Sequence, residues 1–186
     1  EASGELKRAG EGVAVGGDFR PSTDRVMAAV GRAAEDLGYR PVNCGKLPSP
    51  ALALFGLENQ MPAIMVTGSH IPDDHNGIKF NKVSGEVLKE DERGMSSQIV
   101  ELDDALFGAD GNFVQPRALP AVSPVATENY VMRYLDFFGA GALAGLRIGI
   151  YQHSAVGRDV LVKIFSDLGA DVAALGRSET FIPVDT

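Results

Sequence analysis

The sequence predicts an α/β fold in which helices cover both faces of a mixed, mostly parallel β-sheet. Two observations carry this prediction. Between residues 13 and 67, short apolar runs alternate with helix-length segments, which is the order of parallel strands joined by crossover helices. One run, Ala63-Ile64-Met65-Val66, has no polar residue. We therefore expect it to form a central strand that is buried on both faces of the sheet.

The first predicted strand, Val13–Val15, leads through two glycines into a helix over Pro21–Leu37. Apolar residues recur at helical spacing in this helix. Ser22 is placed to cap the free amides of its first turn, and Gly38 is placed to end its last turn. The elements that follow are predicted in this order: strand Pro41–Cys44, helix Pro50–Leu57, strand Ala63–Thr67, extended segment Gly77–Asn81, helix Asp91–Leu106 and helix Pro124–Phe138.

A Gly/Ala-rich stretch at residues 139–145 is the predicted boundary between two units. Beyond it, strand Leu146–Tyr151, helix Val156–Leu168 and strand Asp171–Ala174 repeat the order seen at the start of the chain. We expect residues 1–141 to form one domain and residues 142–186 to form the incomplete start of a second, similar domain. Because so short a second unit cannot close a core, we expect the chain to be a fragment.

The composition limits the partners. The 186 residues include 17 Lys and Arg against 25 Asp and Glu, which gives a net charge of −8. A surface of that charge repels nucleic acid and anionic lipid, although it still allows a small anionic substrate. No apolar run approaches the length of a membrane span, and Cys44 is the single cysteine. We expect a cytoplasmic protein that binds neither nucleic acid nor membranes.

The densest group of reactive side chains lies at residues 67–79, directly after the apolar strand. Ligands of open α/β sheets gather at the carboxyl ends of the strands, so this loop lies where a site is expected. An ordinary polar turn is the alternative. The reactive side chains are Ser69, His70, Asp73, Asp74, His75, Asn76 and Lys79.

Several chemistries compete for this loop. A hydrolase with Ser69 as nucleophile is disfavoured, because Ile71 stands where the strained nucleophile turn requires glycine. His70 and His75 could bind a metal with a neighbouring aspartate, but their spacing fits no common zinc pattern. Lys79 is either a solvated lysine at the end of a strand or an acid, base or phosphate contact.

A second polar turn, Gly16-Gly17-Asp18-Phe19-Arg20, also lies between a predicted strand and a predicted helix. It lacks the third glycine of a dinucleotide-binding loop, and the chain has no Gly-Lys-Ser/Thr motif. Two interpretations stay open. Asp18 and Arg20 either form an ion pair that fixes the turn, or Arg20 reaches into the same crevice as Ser69.

The pattern Thr67-Gly68-Ser69-His70-x-Pro72-x-x-x-Asn76-Gly77-x-Lys79 closely resembles the phosphoserine loop of the α-D-phosphohexomutases, which include phosphomannomutases and phosphoglucomutases. Val15–Ser22 is similar to the strand and Gly-x-Asp-x-Arg turn of that family, and Leu47–Ala51 to its Thr-Pro segment. Leu146–Thr186 is more weakly similar to the start of the family's second domain. Ile71 stands where the family usually has asparagine.

The resemblance implies a mutase that moves a phosphoryl group between the 1- and 6-positions of a hexose phosphate. Ser69 would be the phosphoserine and, through its phosphate, a Mg²⁺ ligand. His70 and Lys79 would be acid/base or phosphate-stabilising groups, and Arg20 would neutralise charge near the transferred group.

The partners implied by the resemblance are a mannose or glucose phosphate and the hexose 1,6-bisphosphate intermediate. We expect the remaining Mg²⁺ ligands beyond Thr186, and therefore no turnover by this chain alone. The alternative function is an α/β module that binds a phosphate or phosphosugar without chemistry.

Overall fold

The computed structural model describes residues 11–115 and 117–183. The outer ends of both predicted domains, residues 1–10 and 184–186, lie outside the described residues. The strands are β1 (Gly12–Gly17), β2 (Arg40–Lys46), β3 (Ala63–Val66), β4 (Ile78–Lys82), β5 (Gly85–Glu86), β6 (Arg147–His153) and β7 (Asp171–Arg177). The helices are α1 (Thr23–Asp36), α2 (Ser49–Glu58), α3 (Lys89–Ser96), α4 (Val125–Phe138) and α5 (Arg158–Asp167).

Within the described residues, β1 to β5 form one mixed sheet in the order β2-β1-β3-β4-β5. β1 pairs in parallel with both β2 and β3, whereas β4 runs antiparallel to β3 and β5 antiparallel to β4. The predicted α/β class with a mostly parallel, mixed sheet is confirmed. The apolar strand β3 is the third of the five, so the prediction that it is central is also confirmed.

Strand alternation assigns each sheet face to a different helix. In β1, Val13 and Val15 point to the face that α1 covers, where they pack in one core cluster with Met27. Ala14 points to the opposite face and packs with Leu52 of α2. β3 divides in the same way, since Val66 joins the α1 cluster and Met65 the α2 cluster. The three-layer α/β/α arrangement follows from this alternation.

Two local predictions are wrong. The helix predicted over Asp91–Leu106 is the shorter α3, followed after a break by a single 3₁₀ turn at Asp104–Leu106. Ile99 and Val100 lie in this break and are 92% and 73% exposed, so a continued helix would have no core to pack against. The side chain of Ser22 makes no cap on α1, because the Ser22 backbone is helical where a capping residue is extended; its hydroxyl accepts a hydrogen bond from Asn76.

The C-terminal elements form a second, smaller sheet in which β6 and β7 pair in parallel. α5 covers this sheet and contacts α4 through a separate apolar cluster that includes Val131, Ile164 and Leu168. The domain boundary at residues 141 and 142 stays a prediction. None of the helices in the described ranges is both long enough and apolar enough to cross a bilayer.

Candidate active site

The carboxyl ends of β1 and β3 lie side by side, because Gly17 pairs with Val66 in the parallel register. Each strand leads into a polar segment at this edge of the sheet. Residues 18–22 connect β1 to α1, and residues 67–77, the Ser69 loop, connect β3 to β4. The amide of Asp18 donates a hydrogen bond to the carbonyl of Val66 at 3.1 Å, which joins the two segments at their roots.

The buried side chain of Arg20 holds the Ser69 loop from below. Its guanidinium donates hydrogen bonds to four main-chain oxygens of the loop. Two bonds are short, at 2.6 Å to the carbonyls of Ile71 and Pro72, and two are 3.1 Å long, to the carbonyls of Ser69 and His75. Because bonds from a charged donor are stronger than neutral ones, this one side chain fixes the course of the loop.

Asp18 organises the base of the site. It is buried and lies 3.5 Å from Nε of Arg20, so the predicted ion pair is present. Its carboxylate also accepts hydrogen bonds from the Arg20 amide at 3.0 Å, the Thr23 hydroxyl at 2.6 Å and the Thr67 hydroxyl at 2.7 Å. Both interpretations of the Asp18–Arg20 pair therefore hold, since the pair fixes the turn and Arg20 also reaches the Ser69 loop.

Asn76 fastens the far end of the loop to the start of α1. Its amide donates to the hydroxyls of Ser22 and Thr23, each at 3.0 Å, and its carbonyl oxygen accepts from the Gly77 amide at 2.9 Å. Gly68 lies against the guanidinium, where a Cβ would come within 2.5 Å of the Arg20 Cζ. A side chain at position 68 is therefore excluded by close packing.

Ser69 is exposed on the outer side of the loop and has a left-handed backbone, with φ of 52°. This conformation costs about 1 kcal/mol for a residue with a side chain. It is maintained by the Arg20 bonds to the carbonyls of Ser69 and Ile71 and by the bond from the Ser69 amide to the Thr67 hydroxyl at 3.2 Å. Nδ1 of His70 lies 3.4 Å from the Ser69 hydroxyl oxygen. The arrangement presents a hydroxyl beside an imidazole, with the supporting contacts beneath the loop.

The other predicted residues lie farther along the loop and on β4. Lys79 lies opposite Met65 near the start of β4 and is exposed, and its side chain makes no hydrogen bond or ion pair with any residue that the structure describes. His75 bonds to Asp74 at 2.6 Å, and this bond lowers the pKa of the Asp74 carboxyl. The structure thus places Arg20 against the Ser69 carbonyl and the His70 ring beside the Ser69 hydroxyl, and among the described residues it gives the Lys79 side chain at the same edge no partner.

Metal ligation by the loop histidines has no support in the structure. Across the two described ranges, no group of three or more His, Cys, Asp or Glu side chains is arranged to hold a metal ion. Asp74, the aspartate next to His75, is already paired with that histidine.

Three residues have supporting roles that were not predicted: Thr23 was not named as a site residue, and Thr67 and Asn76 were named only as members of the loop. Thr23, Thr67 and Asn76 hold the loop through side-chain hydrogen bonds to one another or to Asp18. The positions of these residues at the two polar turns could have indicated this role, since hydroxyl and amide side chains at strand ends often bond neighbouring loops together.

Fold and site together define a class of protein: an α/β/α domain with an exposed serine on a loop that a buried arginine holds at the carboxyl edge of the sheet. Residues 2–105 match the family model for phosphoglucomutase/phosphomannomutase, α/β/α domain I. The chain therefore belongs to the phosphoglucomutase/phosphomannomutase family, as its resemblance to the phosphohexomutases predicted.

Relatives with established names agree. The chain is 44% identical over 177 residues to a phosphomannomutase of Sinorhizobium fredii (strain NBRC 101917 / NGR234), covering 95% of this chain and 37% of that protein. It is 41% identical over 175 residues to a phosphomannomutase of Salmonella muenchen, covering 94% and 34%. The chain thus spans little more than a third of the length of these relatives.

A crystal structure of a phosphoglucomutase/phosphomannomutase family protein from Burkholderia thailandensis has the same fold. It superposes with a TM-score of 0.69 at 23% identity and covers 94% of this chain and 38% of that one.

Proposed function

We propose that this chain is the phosphoserine-bearing part of a phosphosugar mutase, with Ser69 as the residue that carries the phosphoryl group. One observation supports this above the others. The Ser69 hydroxyl is exposed at the carboxyl edge of the sheet, while a buried arginine holds its loop through four main-chain oxygens. A nucleophile held by such supports is positioned before the substrate arrives, which is what phosphoryl transfer demands of a protein.

The proposed reaction has two transfers. In the first, the bond between phosphorus and Ser69 Oγ breaks, a bond forms from phosphorus to a sugar hydroxyl oxygen, and the proton of that hydroxyl passes to a base. Ser69 Oγ takes up a proton and becomes a hydroxyl again. In the second transfer, the bond between phosphorus and the other sugar oxygen of the hexose 1,6-bisphosphate breaks, and a bond forms from that phosphorus to Ser69 Oγ. The proton of the Ser69 hydroxyl passes to a base, and the released sugar oxygen takes up a proton. Phosphate has then moved between the 1- and 6-positions.

His70 and Lys79 are the candidates for moving these protons or stabilising phosphate. The His70 imidazole lies 3.4 Å from the Ser69 hydroxyl oxygen, so it is placed to serve that oxygen. Lys79 is exposed at the same edge and has no competing partner within the described residues. Arg20 contributes positive charge from beneath the loop, since its guanidinium lies 3.1 Å from the carbonyl oxygen of Ser69.

Mg²⁺ is proposed on the resemblance alone. The described residues do not offer a complete ligand set, and the phosphate on Ser69 would be the single ligand from this part of the chain. When bound, the ion would neutralise charge on the transferred group. No step of the proposed reaction depends on where it lies.

The proposed substrate is a hexose phosphate, with mannose phosphate favoured. The two phosphomannomutases share 44% and 41% identity with this chain over almost its entire length. Because the chain spans little more than a third of each, we propose that substrate selection and turnover require segments beyond those compared. The 186-residue chain alone is then expected to be inactive.

The test is the phosphorylation state of Ser69 in the protein enriched from the cells that make it. Intact mass and peptide mapping should locate one phosphoryl group on Ser69. Phosphatase should remove it, and hexose 1,6-bisphosphate should restore it. Ser96 is a matched control because it is also an exposed serine, at the end of α3. Ser69→Ala should abolish phosphorylation and mutase activity, whereas Ser96→Ala should leave both unchanged.

Two outcomes would overturn the proposal. One is a Ser69→Ala variant of the protein from those cells that isomerises mannose 1-phosphate at the wild-type rate. The other is a Ser69 that never carries phosphate although the protein binds hexose phosphate reversibly, and this outcome would establish the non-catalytic binding module instead.

A further inference from the structure

The C-terminal unit reaches back to the candidate site through one aromatic ring. Phe181 follows β7 and is half-buried, and its ring lies 5.0 Å from the guanidinium carbon of Arg20. A guanidinium that donates hydrogen bonds in its own plane keeps its two faces free for aromatic contact. Phe181 thus contacts the guanidinium that donates to four main-chain oxygens of the Ser69 loop.

The position of Phe181 is itself fixed. The buried hydroxyl of Ser154, at the end of β6, accepts a hydrogen bond from the amide of Ile182 at 2.9 Å and lies 3.2 Å from its carbonyl oxygen. The amide of Ser178 donates to the carbonyl of His153 at 3.0 Å. The segment that carries Phe181 is therefore bound to the β6–β7 sheet on both sides of the ring.

A reciprocal contact lies beside the first. Phe19, the residue before Arg20, lies under the guanidinium of Arg158, with 4.7 Å between the guanidinium carbon and the ring centre. Arg158 is buried and bonds to the carbonyl of Ser178 and, at 3.2 Å, to Glu179. Each unit thus supplies an aromatic ring to a buried arginine of the other, which joins the Arg20 turn to the segment that follows β7.

We propose that Phe181 is a positioning residue for the Ser69 loop and acts through Arg20. The ring keeps water from one face of the guanidinium, and a charged hydrogen bond is stronger where water is excluded. The C-terminal unit thereby helps to set the conformation of a loop in the other unit. The consequence for phosphoryl transfer rests on the proposed function, whereas the effect on the loop does not.

The experiment is amide hydrogen exchange on the 186-residue chain, resolved by residue. The exchange rates of two amides measure how often the loop opens. The Ile71 amide donates to the Gly68 carbonyl at 3.0 Å, and the His75 amide donates to the Pro72 carbonyl at 3.1 Å. Phe181→Leu should speed their exchange on the order of threefold to tenfold, because the loop opens more often once its arginine loses the ring.

Phe113→Leu is the matched control. Phe113 is also half-buried and lies under an arginine, with the guanidinium carbon of Arg32 6.0 Å from the ring centre, but it does not contact Arg20. This control should leave the Ile71 and His75 amides unchanged. Phe181→Tyr keeps an aromatic face and should restore protection of both, a rescue that simple loss of apolar volume does not predict.

The amide of Asp171, which donates to the Leu146 carbonyl at 2.9 Å, reports whether the C-terminal unit stays folded. If Phe181→Leu speeds the exchange of the Asp171 amide, Phe181→Met replaces it as the test variant, because methionine retains apolar volume without an aromatic face. Unchanged loop exchange in the folded Leu or Met variant would overturn the proposal, as would equal effects of Phe113→Leu. If Phe181→Leu speeds the exchange of the two loop amides as expected but Ser69 never carries phosphate, the proposed function is wrong and this inference still holds.

Discussion

Replacing Arg20 with methionine removes the support of the Ser69 loop while keeping a long side chain in its place. The variant loses four hydrogen bonds to main-chain oxygens and leaves the buried carboxylate of Asp18 without its cation. Breaking a buried ion pair costs about 3–5 kcal/mol. The loop is exposed, so water can replace part of the lost bonding, and we expect a loss of about 3 kcal/mol in the free energy of unfolding.

Urea denaturation followed by far-UV circular dichroism measures this loss. With a slope of about 2 kcal/mol per molar urea, the midpoint should fall by about 1.5 M. The control is Arg117→Met, because Arg117 is half exposed and pairs only loosely with Glu35 and Asp36 at 3.6 and 3.7 Å. Exposed pairs contribute little, so the control should lose no more than about 0.5 kcal/mol.

Arg20→Lys separates charge from geometry. Lysine keeps the charge beside Asp18 but has three donors on one nitrogen instead of a planar fork, so it cannot reach all four carbonyls at once. We expect a stability between those of the wild type and Arg20→Met. If Arg20→Met were as stable as Arg117→Met, the four hydrogen bonds would not be what holds the loop, and the reasoning would be refuted.

Three further predictions concern other parts of the chain. Gly68→Ala should cost about 1–3 kcal/mol in urea denaturation, because its Cβ would lie 2.5 Å from the Arg20 guanidinium; an unchanged midpoint would contradict the close packing. Burial raises the pKa of the Cys44 thiol to about 11, so the folded state keeps a proton that the unfolded state loses above about pH 9. Stability relative to Cys44→Ala should therefore be constant below pH 9 and fall by on the order of 2 kcal/mol towards pH 11, and equal pH dependence of both proteins would contradict this. Where mutase activity is measurable, His70→Ala and Lys79→Ala should each slow turnover by roughly 10²–10⁴-fold, and a near-normal rate would exclude proton transfer by that residue.

The sheet could be predicted because strands that are buried on both faces leave short, continuous apolar runs in the sequence. Val13–Val15 and the apolar run of β3 are two such runs, and their residues divide between the two core clusters. The helix predicted through Ile99 was wrong because apolar residues in a sequence do not always mark a buried face. Apolar residues there suggest a buried face, but nothing packs on them, and the sequence alone does not reveal the missing neighbour.

The position of the candidate site could be predicted from the sequence, but the hydrogen bonds that hold the Ser69 loop could not. Reactive side chains after a buried strand indicate a site, because ligands collect at strand ends. The way Arg20 holds the loop has no such signature, since its partners are main-chain carbonyls and every residue has one. The bonds from Asn76 to the Ser22 and Thr23 hydroxyls could not be predicted for a different reason, since an asparagine before glycine is also ordinary turn chemistry.

Support through the main chain also accounts for a departure from the family pattern. Ile71 stands where asparagine is usual, yet position 71 contributes a carbonyl to Arg20 at 2.6 Å and an amide to the Gly68 carbonyl at 3.0 Å. Neither bond uses the side chain, so the exchange leaves the loop's bracing intact. Because the bracing lies beneath the loop, Ser69 and His70 remain exposed on its outer side. The loop can therefore hold its left-handed serine in place without using the side chains of Ser69 and His70, which the proposed chemistry requires.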